Sequence, residues 1–221
     1  MMLGARTAAW SSKRLPYDEE LDWIGTPYYA SGAPQYSIDT GFVIGERNDI
    51  VITCDALMPR PVAWSSLFIS YTSETAQSTR ITCYNGSTNI YCGYRMAANR
   101  QMHVNFNISR RGVYRLRYLH IEKDGSNNNL TEPNGDASNA TMCIFSRSNG
   151  KYSYSAERMV YSFKIESTGG EVYFDGIPVL KDGVAYMYDR VTGKLFGNAL
   201  DGVFTFGSDK VSARGGGVLN A

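Results

Sequence analysis

Two acidic side chains near the start of the chain, Glu20 and Asp22, have the spacing of a catalytic carboxylate pair. Residues two apart on a β-strand point to the same face, and retaining glycoside hydrolysis uses two carboxyl groups roughly 5 Å apart as nucleophile and acid. The pair nevertheless precedes the first clear strand pattern and lies between Pro16 and Pro27. We therefore predict a solvated acidic turn here, and no catalytic residue in the chain.

Metal binding has few candidate ligands in this sequence. The two histidines, His103 and His120, are isolated from each other, whereas a catalytic zinc ion needs three protein ligands. The stretch that begins at Asp124 reads Asp-Gly-Ser-Asn-Asn-Asn, and its alternating oxygen atoms would suit calcium. An EF-hand loop has glycine at its sixth position, but Gly125 is second here. We predict a polar loop, no metal site and no cofactor.

Tyrosine beside asparagine is the feature that points to a ligand. Tyr84, Tyr91 and Tyr94 flank a turn in the stretch CYNGSTNIYCGYR. Sugar rings stack on aromatic side chains while amide and carboxylate groups bond the hydroxyls, which is the chemistry of a shallow glycan site. The candidate glycan contacts are Tyr84, Asn85, Tyr91, Tyr94, Asp124 and Asn128. The alternative is that these tyrosines pack on a sheet or in a contact between subunits.

The elements that must position these residues are β-strands. Residues 49–58, DIVITCDALM, alternate with period two, and the run QMHVNFNIS does the same. In RMVYSFKIES we expect Met159, Tyr161, Phe163 and Ile165 to share one face. Such runs, separated by turns and without an amphipathic helix, predict an all-β, two-sheet antiparallel β-sandwich.

The last third of the chain, Asp175 to Gly207, carries the densest strand pattern. Four short runs, 177–180, 184–188, 194–196 and 203–206, are separated by glycine-containing turns. The longest stretch without a strand pattern is Asp124 to Ala140, which we predict to be a loop.

Composition restricts the class of protein. Lys and Arg total 22 against 21 Asp and Glu, so the formal charge of +1 gives no bulk attraction to nucleic acid or to an anionic membrane. The four cysteines match neither a zinc spacing nor a dense disulfide framework, and we predict free thiols, with Cys54 and Cys83 in the core.

The chain divides into three segments. Residues 1–14 are an N-terminal arm that either packs as a short strand or docks on a neighbouring subunit, residues 15–207 form the sandwich, and residues 208–221 form a tail. The sequence contains no run of about 20 apolar residues, so we predict no membrane span. The first residues have no long apolar stretch, so we predict no secretory signal.

Several motifs occur in a distinctive order along residues 15–207. They are QYSIDTGFV, ATMCIFSRSNG, RMVYSFKIESTGGEVYFDGIPV, GVAYMYDRVTGKLFGN and DGVFTFG. In this order they resemble the concanavalin A-like, laminin-G-type lectin sandwiches, and more narrowly the versions in phage, prophage and gut-bacterial proteins.

The resemblance implies a jelly-roll arrangement of two sheets and a protein that binds glycans, binds proteins or builds virion surfaces. We accordingly expect a non-enzymatic structural and attachment module at a virion or bacterial cell surface. Its expected partners are further copies of the chain in a homo-oligomer, neighbouring virion proteins, and a cell-surface glycan. The alternatives are a carbohydrate-active enzyme on the same fold and a purely structural decoration protein without a ligand.

The resemblance also bears on catalysis and calcium. Retaining glycosidases on this sandwich carry a Glu-x-Asp-x-x-Glu strand, but the position of the second glutamate here is Gly25. An enzyme would need either a second acid near Glu20 or a different pair of acids, such as Asp55 with Glu74. The acidic calcium ligands of lectin relatives have no full counterpart in this chain, so the resemblance does not support calcium.

Overall fold

The structure is a computed structural model that describes residues 15–28, 35–72, 77–84, 89–97, 102–133, 139–146 and 156–207. The expected arm at 1–14 and tail at 208–221 lie outside these residues, as do Glu74 and Asn85. The described residues all belong to the segment predicted to form the sandwich.

The regular secondary structure in these described ranges consists of β-strands. The strands are β1 (Glu19–Glu20), β2 (Trp23–Thr26), β3 (Ile38–Val43), β4 (Ile50–Arg60), β5 (Ser66–Ser70), β6 (Gln77–Cys83), β7 (Ile90–Ala97), β8 (Met102–Val104), β9 (Gly112–Arg117), β10 (His120–Lys123), β11 (Ser126–Asn129), β12 (Thr141–Ile144), β13 (Glu157–Ser167), β14 (Val172–Lys181), β15 (Val184–Asp189), β16 (Lys194–Phe196) and β17 (Thr205–Gly207).

The strands form two antiparallel sheets, which contain eleven and six strands of the described chain. The larger sheet runs in the order β11-β10-β9-β4-β13-β14-β15-β16 and also includes β1, β2 and β17. The smaller sheet runs in the order β3-β12-β5-β6-β7-β8. The predicted all-β, two-sheet antiparallel sandwich is therefore confirmed.

The core lies between the sheets and follows the predicted alternation of β4. Ile52, Cys54 and Ala56 are fully buried in it, while Thr53 and Asp55 on the opposite face are half-buried. All four cysteines of the chain are free thiols, as predicted. They are buried, since a free cysteine packs as a small apolar residue.

Strand β13 departs from the predicted register. Val160, Phe163 and Ile165 are fully buried, whereas Met159 and Tyr161 are only half-buried on the other side. The cause is a β-bulge, since Val160 lies opposite Ala56 but Ser162 lies opposite Asp55. A bulge inserts one residue and thereby turns the side chains that precede it to the other face of the strand. The prediction that Met159, Tyr161, Phe163 and Ile165 share one face was therefore wrong.

The larger sheet forks at this bulge. Pairing of β13 with β14 ends at Phe163 and Gly176. Beyond that point β2 pairs with the start of β13, and β1 pairs with the end of β14. Leu21 and Asp22, which join β1 to β2, therefore cross the fork between the two diverging strands.

A buried arginine on β13 links the two sheets. The Arg158 guanidinium donates hydrogen bonds to Thr26 Oγ1 at 3.0 Å and to two carbonyl oxygens of the smaller sheet's side, Phe145 at 2.8 Å and Ser66 at 3.2 Å. Burial lowers the pKa of Arg158 to about 9, so the side chain still carries its charge at neutral pH. The fork is thereby tied to the opposite sheet.

The predicted loop from Asp124 to Ala140 begins as a hairpin instead. Strands β10 and β11 pair across Asp124 and Gly125, which both have positive φ, 49° and 86°. An Asp-Gly pair with this backbone is a strong two-residue hairpin turn. Its turn preference outweighed the low strand propensity of the asparagines that follow.

The closing strands follow the predicted pattern of the last third. Strands β14, β15 and β16 pair consecutively and antiparallel, whereas β17 pairs with β2. The turn after β15 is organised by Asp189, which is buried and accepts hydrogen bonds from the backbone of Asp175, Val191 and Thr192. These hydrogen bonds explain why an aspartate occupies this position in the motif YDRVTGKLF.

Candidate functional site

The predicted glycan contacts Tyr84 and Tyr91 lie together on the smaller sheet. Tyr91 is on β7, where Ile90 and Cys92 are buried in the core, so Tyr91 projects from the outer face. Tyr84 directly follows β6, and its ring stacks on Tyr91 with a centroid distance of 5.7 Å. Two of the predicted contacts therefore form one surface.

Two aromatic residues that we had not assigned to the site complete this surface. His103 lies opposite Tyr91 on the neighbouring strand β8, and its ring centroid is 3.8 Å from that of Tyr84. Trp64 contacts both tyrosines edge-on, at 6.2 Å from Tyr84 and 5.8 Å from Tyr91. We call Trp64, Tyr84, Tyr91 and His103 the aromatic cluster.

The aromatic cluster is partly open to solvent and has a buried arginine beside it. Trp64, Tyr84 and Tyr91 are half-buried, and His103 is exposed. The guanidinium of Arg80, which is 2% exposed, lies 5.6 Å from the centroid of the Tyr91 ring. A cation held near an aromatic ring attracts it electrostatically, so Arg80, which projects from the same face of the sheet, stabilises the position of the Tyr91 ring.

The chemistry available at the aromatic cluster suits a polyhydroxylated ring. The exposed parts of Tyr84 and Tyr91 offer an apolar surface, while the tyrosine hydroxyls and the His103 imidazole offer hydrogen bonds at its margin. Such an arrangement matches the apolar face and the polar rim of a sugar.

Tyr94, the third predicted tyrosine, does not belong to this surface. It is 1% exposed, and its hydroxyl donates a hydrogen bond to the carbonyl oxygen of Arg47 at 2.8 Å. Burial raises the pKa of Tyr94 to about 12. Tyr94 is therefore a core residue with a satisfied hydroxyl, and the prediction that it contacts a glycan is wrong.

The remaining predicted contacts lie elsewhere or outside the described chain. Asn85 is not among the described residues. Asp124 is exposed at the turn between β10 and β11, where its Oδ1 accepts a hydrogen bond from the backbone of Val113. Asn128 is half-buried on β11. Both belong to the larger sheet, so the predicted contacts divide between two surfaces.

The acidic pair occupies the fork of the larger sheet. Glu20 is exposed at the end of β1, but Asp22 is half-buried and its Oδ2 is enclosed by the protein. The predicted solvation is thus correct for Glu20, but Glu20 lies in strand β1 and not in a turn. The prediction is wrong for Asp22, because its Oδ2 is buried where the chain crosses the fork.

The position of the missing second glutamate cannot carry a side chain. A Cβ atom built on Gly25 would overlap the carbonyl oxygen of Arg158 on the neighbouring strand β13. The side chain of any larger residue here would force β2 and β13 apart. The Glu-x-Asp-x-x-Glu arrangement of the resembled glycosidases is therefore sterically incompatible with this fork.

Metal ligands do not converge in the described part of the chain. Across those residues, no three His, Cys, Asp or Glu side chains are grouped so that they could hold a metal ion. His103 takes part in the aromatic cluster, and His120 pairs with Arg117 in the ladder between β10 and β9.

Two comparisons with known proteins found no match. No protein-family model matches the chain, and no curated protein is significantly similar to it. Within the described ranges, no helix has the length and apolar character needed to cross a membrane. The class that the coordinates define is the two-sheet antiparallel β-sandwich, and the lectin resemblance stays a prediction.

Proposed function

We propose that the protein is a non-enzymatic attachment module that binds glycans through the aromatic cluster. The observation that carries this proposal is the convergence of Trp64, Tyr84, Tyr91 and His103, with centroid distances between 3.8 and 6.2 Å, on the outer side of the smaller sheet. Rigid, partly exposed aromatic rings with polar margins are the chemistry that sugar rings require.

The setting we propose is a virion or bacterial cell surface, and its support is the motif order that resembles phage-associated lectin sandwiches. A shallow aromatic surface binds a single glycan weakly. Several copies of the chain in one assembly would raise the overall affinity by effective concentration, without any new contact. A self-associating protein is therefore the form in which this function is most effective.

The alternative of a carbohydrate-active enzyme has less support. Gly25 excludes the expected second glutamate, and both carboxylate oxygens of Asp55 already accept hydrogen bonds from Arg111, at 3.0 and 2.7 Å. A glycosidase acid must present a proton to the glycosidic oxygen. The oxygens of Asp55 are instead engaged by the guanidinium.

A glycan array on the purified chain tests this proposal. We expect binding to a subset of bacterial or mucin glycans, and about a tenfold loss of affinity in Tyr84→Ala and in Tyr91→Ala, since each removes one stacking contact. Tyr186→Ala is the matched control, because Tyr186 is also a half-buried strand tyrosine but belongs to the larger sheet.

The same array with and without a chelator tests whether calcium takes part. Thermal unfolding of each variant separates a lost contact from a lost fold. Silence across the array would contradict glycan binding and favour a purely structural decoration protein. Equal losses in Tyr84→Ala and Tyr186→Ala would place the binding surface elsewhere.

A further inference from the structure

A groove lies on the larger sheet where β2 pairs with both β13 and β17. Its volume is about 330 Å³, a size that suits a small ligand. The aromatic cluster lies on the smaller sheet, so the proposed glycan surface does not include this groove. We call it the Trp23 groove, and the lining residues that matter below are Trp23, Tyr28, Arg60, Glu157, Met159 and Thr205.

The Trp23 groove opens on the outer face of the larger sheet. Ile24 is fully buried in the core, so its neighbour Trp23 projects from the opposite side of β2. Gly25 shares that side, and its partners across the two ladders are Met159 on β13 and Thr205 on β17. Residues opposite each other on antiparallel strands point to the same face. Trp23, Met159 and Thr205 are therefore neighbours on the outer face, where all three are half-buried.

The indole of Trp23 packs directly against the backbone of the sheet. A Cβ atom built on Gly207 would lie 2.4 to 2.7 Å from three atoms of the indole, Nε1, Cε2 and Cζ2. One built on Gly25 would lie 3.3 Å from Cζ3 of the same ring. The glycines thus leave the space that the indole occupies. The backbone supports the ring from one side, and its half-buried remainder borders the groove.

The rim of the groove carries a loosely paired arginine and glutamate. Arg60 Nε and Glu157 Oε2 are 3.5 Å apart, which is longer than a hydrogen bond of roughly 2.7–3.2 Å. A guanidinium has five N–H donors and a carboxylate has two acceptor oxygens, so this contact does not saturate either group. The Arg60 guanidinium also lies 5.6 Å from the centroid of the Tyr28 ring, which is exposed. The rim therefore offers donors, acceptors and a second aromatic surface.

This lining selects a ligand that is apolar on one side and hydroxylated at its edge. The opposite charges of Arg60 and Glu157 cancel, so the pair as a whole favours neither an anionic nor a cationic ligand. A hydroxyl both donates and accepts, so adjacent hydroxyls can bond the guanidinium and the carboxylate together. A purely apolar side chain of a partner protein would cover both groups without bonding them, which is unfavourable. The indole of Trp23 in turn favours an apolar ring surface.

We propose that the Trp23 groove binds a neutral pyranose ring. The C–H face of the sugar packs on the indole of Trp23, and its hydroxyls accept from Arg60 and donate to Glu157. The site does not rest on glycan binding at the aromatic cluster. Because the two sites lie on the outer faces of different sheets, a chain that uses both would hold two glycans on opposite sides and cross-link them.

Tryptophan fluorescence tests the proposal at the site itself. The chain has three tryptophans, Trp10, Trp23 and Trp64, so the full chain with Trp10→Phe and Trp64→Phe reports from Trp23 alone. The neutral probes are methyl glucoside and methyl galactoside. Glucuronate, glucosamine and cyclohexanol serve as anionic, cationic and apolar counterparts. We expect a saturable change in emission with at least one neutral glycoside, and binding of the three counterparts at least tenfold weaker.

Two further substitutions in this single-tryptophan chain locate the interaction, and one controls for bulk charge. Arg60→Met should weaken binding of the neutral glycoside roughly tenfold, because it removes a hydrogen bond to a charged group. Glu157→Gln should weaken it less, since the glutamine carbonyl still accepts. Arg117→Met removes an exposed arginine of the same sheet that does not line the groove, and should change the affinity less than about twofold. Thermal unfolding of each variant checks that the fold is retained.

Three results would each overturn the proposal. They are an unchanged emission with both neutral glycosides, a counterpart that binds as tightly as the neutral glycosides, and unchanged affinity in both Arg60→Met and Glu157→Gln. Tightest binding of cyclohexanol would identify the groove as a docking site for an apolar side chain instead. The signal comes from Trp23, so these outcomes leave the array result at the aromatic cluster untouched. Loss of array binding in Tyr84→Ala likewise leaves the Trp23 groove untouched.

Discussion

Replacing Arg158 with methionine tests which of two opposing effects dominates in the core. The guanidinium is fully buried, and its described partners are neutral oxygens of Thr26, Ser66 and Phe145. Its burial has a desolvation penalty of several kcal/mol, which methionine would relieve. Its removal, however, withdraws the donor from two carbonyl oxygens on the opposite sheet.

We expect the lost hydrogen bonds to outweigh the relieved penalty. Each buried carbonyl left without a donor costs about 1–3 kcal/mol, so the two together cost about 2–6 kcal/mol. The substitution also removes a favourable cation–π contact, because the Arg158 guanidinium lies 5.3 Å from the centroid of the Phe145 ring. We expect Arg158→Met to lower the free energy of unfolding by about 2–4 kcal/mol, and Arg158→Ala by more, since it adds a cavity.

Urea denaturation followed by circular dichroism measures this change. Arg60→Met is the matched control, because the Arg60 side chain is 67% exposed, and its stability should stay within about 0.5 kcal/mol of wild type. An Arg158→Met variant as stable as the wild-type chain would refute the reasoning. It would mean that desolvation governs this site and that the link between the sheets contributes nothing net.

Two further predictions concern the fork and the core thiols. Gly25→Ala should destabilise the protein by about 1–3 kcal/mol, because its Cβ would overlap the Arg158 carbonyl and force β2 from β13; an unchanged melting temperature would show that the strands can separate freely. Burial raises the pKa of Cys92 from 9.0 to about 12. The stability that Cys92 contributes is thus complete below pH 9 and is lost as pH rises toward 12. The stability of wild type relative to Cys92→Ala should fall between pH 9 and 10.5 by roughly 1–2 kcal/mol, and a constant difference would contradict this.

The fold was largely predictable because strand alternation is a local property. In the run QMHVNFNIS, Val104, Phe106 and Ile108 are at most 6% exposed, while His103 and Asn105 are exposed. The same alternation placed His103 on the outer face. His103 and Tyr91 lie on two consecutive antiparallel strands, and residues that face each other across such strands interact. This pairing was the signal that could have added His103 to the predicted site.

The site was less predictable because it depends on contacts between distant segments. Tyr94 shares the residue type and neighbourhood of Tyr91, but it lies on the core-facing side of β7 and bonds to Arg47. Trp64 reaches the aromatic cluster from the residues before β5, where its φ of 66° is unusual for tryptophan. No local pattern encodes that approach.

The fork of the larger sheet explains why the environment of Asp22 was predicted wrongly. Alternation assigned Tyr161 to the core, since a single inserted residue is invisible to a period-two pattern. That residue turns Tyr161 outward where β13 leaves β14, and two diverging strands would present open edges unless other chain segments paired with them. Strands β1 and β2 supply that pairing, and their connection brings Asp22 against the bulge. The contacts that complete the sheet are thus the same ones that enclose an unsatisfied carboxylate oxygen.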